Sequence, residues 1–152
     1  MPRNKKPTEL KILEGTFRQD REPKNPIKAE KIQEAPKPPA WLGKHGKKLW
    51  KTLAPELATT GVLTELDLAT FELLCSSYSD FRDAQEAIYR PRDPDTGKKL
   101  RRSLAEYLEG KNSQTMPEMQ TMKSSYQMYC KLMSEFGMSA ASRSKIDLKK
   151  PE

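Results

Sequence analysis

The sequence predicts an all-α fold: a helical hairpin core with a Pro-rich extended N-terminal arm and a polar middle loop or small β-hairpin. Three observations lead there. One stretch repeats apolar residues at helical spacing through Phe71, Leu74, Tyr78, Phe81 and Ile88, with Gln85 breaking the stripe. A second, Met119, Met122, Tyr126, Tyr129, Met133 and Phe136, alternates steps of three and four without a break, the pattern of a seam packed on another helix. Seven of the 12 prolines crowd into residues 1–40, where the fixed φ and missing donors exclude long helices and central strands.

Along the chain, the arm carries Pro2, Pro7, Pro23, Pro26, Pro36, Pro38 and Pro39. One island within it reads as helical. Thr8 can cap it after Pro7, Leu10, Ile12 and Leu13 supply apolar contacts, and Gly15 ends it. The arm closes on the stiff spacer Pro36-Lys37-Pro38-Pro39. The first firm helix is expected from Lys44 to Thr59, with Leu49, Trp50, Leu53 and Leu57 in phase and Gly61 as its stop. Pro55 should kink or restart it. The next helix has the clearest start in the chain: Thr64 as N-cap, Asp67 completing a capping box, and Leu63 with Leu68 as a hydrophobic staple. It should end near Tyr89, ahead of Pro91.

Residues 90–114 are polar, and Asp93-Pro94-Asp95-Thr96-Gly97 is a turn signal that suits a hairpin tip or a plain loop. Leu100, Leu104, Tyr107 and Leu108 suggest a short helix ended by Gly110. The long second seam begins at Pro117, a favoured first helical residue, and stops where Gly137 can act as C′ with Met138 making the closing contact. Ser139 can cap a last short helix over 140–146. These boundaries divide the chain into a flexible basic arm (1–40), a helical core and oligomerisation domain (41–138) and a short helix with a charged tail (139–152).

Hydrophobic residues make up 35% of the chain and charged residues 32%, with a mean hydropathy of −0.87. A lone chain with so little core is marginal, which favours association. The net charge is +7 and the isoelectric point about 9.4, a balance suited to an acidic partner such as nucleic acid. Positive charge lies at the ends and in the middle loop, whereas residues 61–90 sum to −4 (2 basic, 6 acidic). Cys75 and Cys130 both fall in helical apolar patterns and are expected to be buried reduced thiols. With one histidine, His45, read as an exposed helix-start residue, neither a disulfide scaffold nor a metal site is expected. No signal peptide or membrane span is evident.

No glycine-rich phosphate loop and no Ser/His/Asp arrangement is present, so no catalytic residue and no cofactor is assigned. The carboxylates Glu65, Asp67, Glu72, Asp80, Asp83 and Glu86 read as a solvated face or an interface. No histidine or basic partner makes them a metal nuclease site.

Four stretches, in order and at matching spacing, carry a resemblance that covers nearly the whole chain. They are Lys6-Pro7-Thr8-Glu9-Leu10-Lys11-Ile12-Leu13-Glu14-Gly15; Pro36-Lys37-Pro38-Pro39-Ala40-Trp41-Leu42 followed by Trp50-Lys51-Thr52-Leu53; Gly61-Val62-Leu63-Thr64-Glu65-Leu66-Asp67 continued by Leu74-Cys75-Ser76-Ser77-Tyr78; and Glu135-Phe136-Gly137-Met138-Ser139-Ala140-Ala141-Ser142-Arg143-Ser144-Lys145-Ile146. Together they resemble the bacteriophage terminase small-subunit family encoded beside an HNH endonuclease and a large terminase. The departure lies in 90–118, where the resemblance leads one to expect a short glycine-containing hairpin and a His-Pro helix start. This chain has a basic stretch and Met116-Pro117 there instead.

The resemblance implies a non-enzymatic, ring-forming homo-oligomer in the host cell cytoplasm. Such a protein binds viral double-stranded DNA, initiates genome packaging and regulates the ATPase and nuclease of the large terminase, with an HNH endonuclease as a further partner. Candidate DNA contacts form three groups: Arg3, Lys5, Lys6, Lys11, Arg18 and Arg21 in the arm; Lys98, Lys99, Arg101 and Arg102 in the loop; and Arg143 and Lys145 beside a helix start that itself favours phosphate. Phe71, Leu74, Tyr78, Phe81, Met119, Met122, Tyr126, Tyr129, Met133 and Phe136 are assigned to core or subunit interface, and Trp41 and Trp50 to packing. The alternative is a small helical DNA-binding transcriptional regulator. It lacks a recognition helix, because the best-defined helix is acidic and would repel phosphates.

Overall fold

Among the described residues the computed structural model has five α-helices: α1 (Thr8–Leu13), α2 (Lys44–Thr59), α3 (Leu68–Tyr89), α4 (Leu104–Leu108) and α5 (Pro117–Glu135). The structure describes residues 8–18, 30, 32, 34–112 and 116–139, and among these no strand forms. The expected short helix over 140–146 lies outside the described residues.

Local chemistry sets the helix ends. Gly61 takes a φ of 67°, a conformation costly for any residue with a Cβ. It lets the Gly61 N–H reach the Ala58 carbonyl at 3.0 Å and the Val62 N–H reach Leu57 at 3.1 Å, closing α2. Gly137 repeats the device at the end of α5, with Gly137 N–H on Ser134 at 3.2 Å and Met138 N–H on Met133 at 2.9 Å. Thr64 and Asp67 start α3 through a 3-10 turn, Glu65–Asp67, with the Asp67 carboxylate accepting from the Thr64 backbone N–H at 3.2 Å and its hydroxyl at 2.6 Å. Pro117 opens α5. Pro55 does not restart α2, which runs unbroken through it. The ring deprives the Lys51 carbonyl of its helical donor, but Lys51 and Pro55 are both exposed and water can serve there.

Helices α3 and α5 pack antiparallel in a fixed register. Phe71 meets Phe136 with ring centroids 5.9 Å apart, Tyr78 meets Tyr129 at 5.3 Å and Phe81 meets Tyr126 at 5.8 Å. Each step up α3 is matched by an equal step down α5, so the register also sets Leu74 opposite Met133. Helix α2 runs against the other side of α3, antiparallel again, with the Trp50 and Phe71 rings 4.5 Å apart. Leu42, Trp50, Ala54, Leu57, Leu63, Phe71, Leu74, Cys75, Leu132 and Phe136 form the buried core, near the N-terminal end of α3.

Residues expected in the extended arm take part in this core. Ile32 packs against it and donates its N–H to the Leu63 carbonyl at 3.4 Å, while the Trp50 indole N–H holds the Pro36 carbonyl at 2.7 Å. Leu10 of α1 is buried as well. Three expectations need correction. Cys130 is exposed, because it lies one position past Tyr129 and off the seam, whereas Cys75 is buried and its thiol is pushed up to about 12 by desolvation. Trp41 is 62% exposed rather than a packing anchor, since Leu42 beside it takes the inward position. His45 is only 17% exposed, drawn in by carboxylates of α3.

The backbones of α2 and α3 meet closely at Gly46, where a Cβ would stand 2.7 Å from the Cys75 carbonyl oxygen and 2.8 Å from the Leu42 side chain. Alanine favours a helix over glycine by about 0.8–1.0 kcal/mol, but forcing apart two packed backbones costs about 1–3 kcal/mol. Gly46→Ala should therefore lower stability by up to about 2 kcal/mol. The readout is a lower urea midpoint at unchanged m-value, and an unchanged or raised midpoint would contradict the close approach.

Candidate nucleic-acid interface

Because α2 and α5 both run antiparallel to α3, their N-termini gather at the C-terminal end of α3. The polar loop and α4 emerge there too, and most cations of the described chain collect at this end.

The loop is built as a bracket. The Asp93 carboxylate accepts the backbone N–H groups of Thr96 at 2.8 Å and Asp95 at 2.9 Å, contacts that hold its pKa below the ordinary range. Backbone bonds return the chain on itself, from Asp93 N–H to Lys98 at 2.9 Å, Leu100 N–H to Pro91 at 2.9 Å and Arg102 N–H to Tyr89 at 3.0 Å. A single antiparallel bridge, Arg92 with Lys99, is all the β-structure that results. The Arg102 guanidinium donates from Nε to the Ile88 carbonyl at 2.7 Å and from Nη2 to Ala87 at 2.6 Å, satisfying carbonyls that the end of α3 leaves open.

Beyond the bracket, the N-cap Ser103 and Glu106 start α4 with a capping box. Tyr107 is buried between Arg102, 4.9 Å from its ring centre, and Lys111 at 4.5 Å. Its hydroxyl donates to Glu118 Oε2 at 2.7 Å, tying α4 to the first turn of α5. Burial and that carboxylate push the Tyr107 hydroxyl up, while its hydrogen bond draws Glu118 down.

Glu86 is the hub of the cationic end. Its Oε2 lies 3.2 Å from both the Lys44 and Lys99 ammonium groups, and its Oε1 lies 3.0 Å from His45 Nε2. The hydrogen bonds from Lys99 and then Lys44 pull its pKa down to about 2. Helix α2 has no acidic residue in its first turn. Glu86 supplies that carboxylate from α3, next to the positive end of the α2 dipole.

The candidate DNA contacts are thereby divided. Lys98 and Arg101 are exposed on the bracket, whereas Lys99 is held by Glu86 and Arg102 caps α3. In the arm, Lys11 is half-buried on α1 and Arg18 is exposed, while Arg3, Lys5, Lys6 and Arg21 lie outside the described residues, as do Arg143 and Lys145. Of the seam residues, Phe71, Leu74 and Phe136 are buried and Tyr78, Phe81, Met119, Met122, Tyr129 and Met133 are half-buried. Tyr126 is 53% exposed. Sequence reasoning passed over the lysines of α2. Lys44, Lys47, Lys48 and Lys51 stand at i, i+3, i+4 and i+7, and that spacing was the available signal.

The fold thus defines a class, a small antiparallel helical-hairpin protein whose polar loop and ion pairs gather at the end where α2 and α5 begin. Within that class the chain matches the family of phage terminase small subunits over residues 46–152, and it belongs to that family. No curated protein and no solved structure matches it. No described helix is long and apolar enough to cross a membrane.

The Glu86 hub makes a pH prediction with a definite sign. A carboxylate depressed from 4.5 to about 2 stabilises the fold above pH 4.5, and that contribution fades as pH falls toward 2. The stability difference between the native chain and Glu86→Gln should be constant above that window and shrink within it. Denaturant midpoints measured across the window check this, and a pH-independent difference would remove Glu86 from the hub.

Proposed function

We propose that the chain initiates DNA packaging in its phage. In this reading it binds viral double-stranded DNA as a homo-oligomeric ring and regulates the ATPase and nuclease of the large terminase, itself having no catalytic activity. The observation that carries the reading is the clustering of cations within a member of this family. Cations are displayed at the end where α2, the loop and α5 begin, interspersed with carboxylates such as Asp83 and Glu86, while Glu65, Asp67 and Glu72 lie at the other end of α3. A protein that marks DNA without cutting it needs ammonium and guanidinium groups that track phosphates, and each neutralised phosphate releases counter-ions. A ring multiplies a few such contacts by its copy number. The large terminase and an HNH endonuclease are its proposed protein partners, met through a terminal tail. Its proposed place of action is the host cytoplasm.

Association has its own support in side chains that the single chain leaves outward. Leu73 on α3 is 59% exposed and Met128 on α5 is 47% exposed, each on the side of its helix away from the seam. The aromatic seam holds the subunit together, and the outer faces of the hairpin meet neighbours.

The two roles separate in mutants. Leu73→Glu with Met128→Glu should leave the chain helical and dissociate the oligomer. Tyr129→Glu, set against Tyr78, should unfold the hairpin by burying an unpaired charge. Light scattering with circular dichroism distinguishes them, and a native chain that is monomeric at micromolar concentration would end the ring proposal.

A further prediction concerns the arm. Residues 1–29 carry eight of the 28 lysines and arginines and lie outside the Ile32 and Pro36 contacts. Deleting them, or changing Arg3, Lys5, Lys6, Arg18 and Arg21 to Gln so that Leu10 is retained, should weaken DNA binding and flatten its salt dependence while the oligomer persists. Unchanged affinity and salt slope would exclude the arm.

A further inference from the structure

The lysines of α2 sit where folding alone would not place them. Lys44, Lys47, Lys48 and Lys51 fall within an arc of about 100° along roughly 10 Å of helix, away from the buried side formed by Gly46, Trp50, Ala54 and Leu57. Two of the four, Lys44 and Lys47, lie in the first turn of the helix, at the positive end of its dipole, where carboxylates stabilise and ammonium groups do the opposite. Pairs of like charge at i, i+4, Lys44 with Lys48 and Lys47 with Lys51, add repulsion. Local choices that work against the fold mark positions serving something else.

The surroundings continue the same field. Lys44 and the loop residue Lys99 reach one oxygen of Glu86, so the row on α2 and the bracket form one surface. Lys47 donates to the Ala40 carbonyl at 2.7 Å. The Lys48 and Lys51 side chains are exposed, and their ammonium groups make no hydrogen bond or ion pair among the described residues. Their positive charge is unspent within the subunit.

We propose that Lys44, Lys48 and Lys51 of α2, with Lys98 and Arg101 of the loop, form a phosphate-tracking surface for double-stranded DNA, and that Glu86 competes with DNA for Lys44 and Lys99. This rests on the DNA-binding role proposed above and names the folded surface that performs it. A duplex carries one negative charge per about 1.7 Å of its axis, so a row of this length faces several phosphates. The contacts follow the backbone and do not read bases, which makes them independent of sequence. On binding, phosphates take over the two ammonium groups that Glu86 holds in the free protein.

Anisotropy of a labelled random-sequence duplex against the full-length chain, over a salt series, tests this. The Lys44→Gln/Lys48→Gln/Lys51→Gln chain should bind at least tenfold more weakly, with a log–log salt slope shallower by about 2–3, at about 0.9 per lost phosphate contact. Glu86→Gln should shift the other way, toward tighter binding and a steeper slope. Lys48→Gln/Lys51→Gln breaks no internal pair and guards against misfolding. It should make the slope shallower by about 2. If the native chain binds but the lysine variants keep its affinity and slope, the α2 surface is overturned while the DNA-binding role stands on the arm. Weaker binding by Glu86→Gln overturns the competitor role. A native chain that fails to bind even at low salt removes both proposals together.

Discussion

The pairing of α3 with α5 is the constraint from which the rest of the molecule follows. Steps of three and four on one helix are matched in reverse on the other, and three aromatic pairs fix the register at 71 with 136, 78 with 129 and 81 with 126. An antiparallel pair requires the connecting chain to turn at one end, and that places the loop and α4 beside the start of α5. Helix α2, antiparallel to α3 on its other side, brings a third terminus to the same place. The negative end of the α3 dipole thus faces the positive ends of α2 and α5. Glu86 and Glu118 take up much of what remains, one beside Lys44 and His45 and the other beneath the Tyr107 hydroxyl.

The two ends of the hairpin are made differently. At the N-terminal end of α3, the Trp50, Phe71 and Phe136 rings pack with Leu63 and Leu57, and Ile32 and Pro36 close the outside. At the other end fewer apolar groups are buried, chiefly Ala84, Ile88 and Tyr107, and the elements are joined by hydrogen bonds and ion pairs. Exposed ion pairs contribute little each and weaken with salt. The charged end is therefore the one whose internal contacts can be exchanged for external ones at small cost.

Much of this was legible in the sequence, because local rules decide it. Gly61 and Gly137 stop their helices, Thr64 and Asp67 start one and Pro117 starts another through groups within a few residues of each other. The seam on α5 pairs with the stripe from Phe71 to Ile88, whose steps of three and four match its own in reverse. What escaped is decided by tertiary contact. Periodicity says which side of a helix faces inward, not how far a neighbour covers it. Trp41 gave up the inward position to Leu42, whereas Cys130, one position off the seam, lies on the outside that the spacing itself assigns it. His45 was read as exposed because nothing nearby in sequence announces Glu86, 41 residues away. Ile32 sits among prolines that read as linker, and its packing depends on Leu63. The α2 lysines share a face through their i, i+3, i+4, i+7 spacing, which a net charge of +7 does not express.

The Arg102 side chain bears on how this chain can vary. Its guanidinium fastens the returning limb of the loop to the last carbonyls of α3, and its backbone N–H pairs with Tyr89. The hydrogen bonds of the segment from Asp93 to Lys98 beyond that clasp run to the loop's own residues. Substitution, shortening or lengthening there changes the charges carried outward without loosening the helices that carry them. The clasp makes the tip an interchangeable fitting on a fixed mount, a place where relatives can diverge in what they hold while keeping the same subunit.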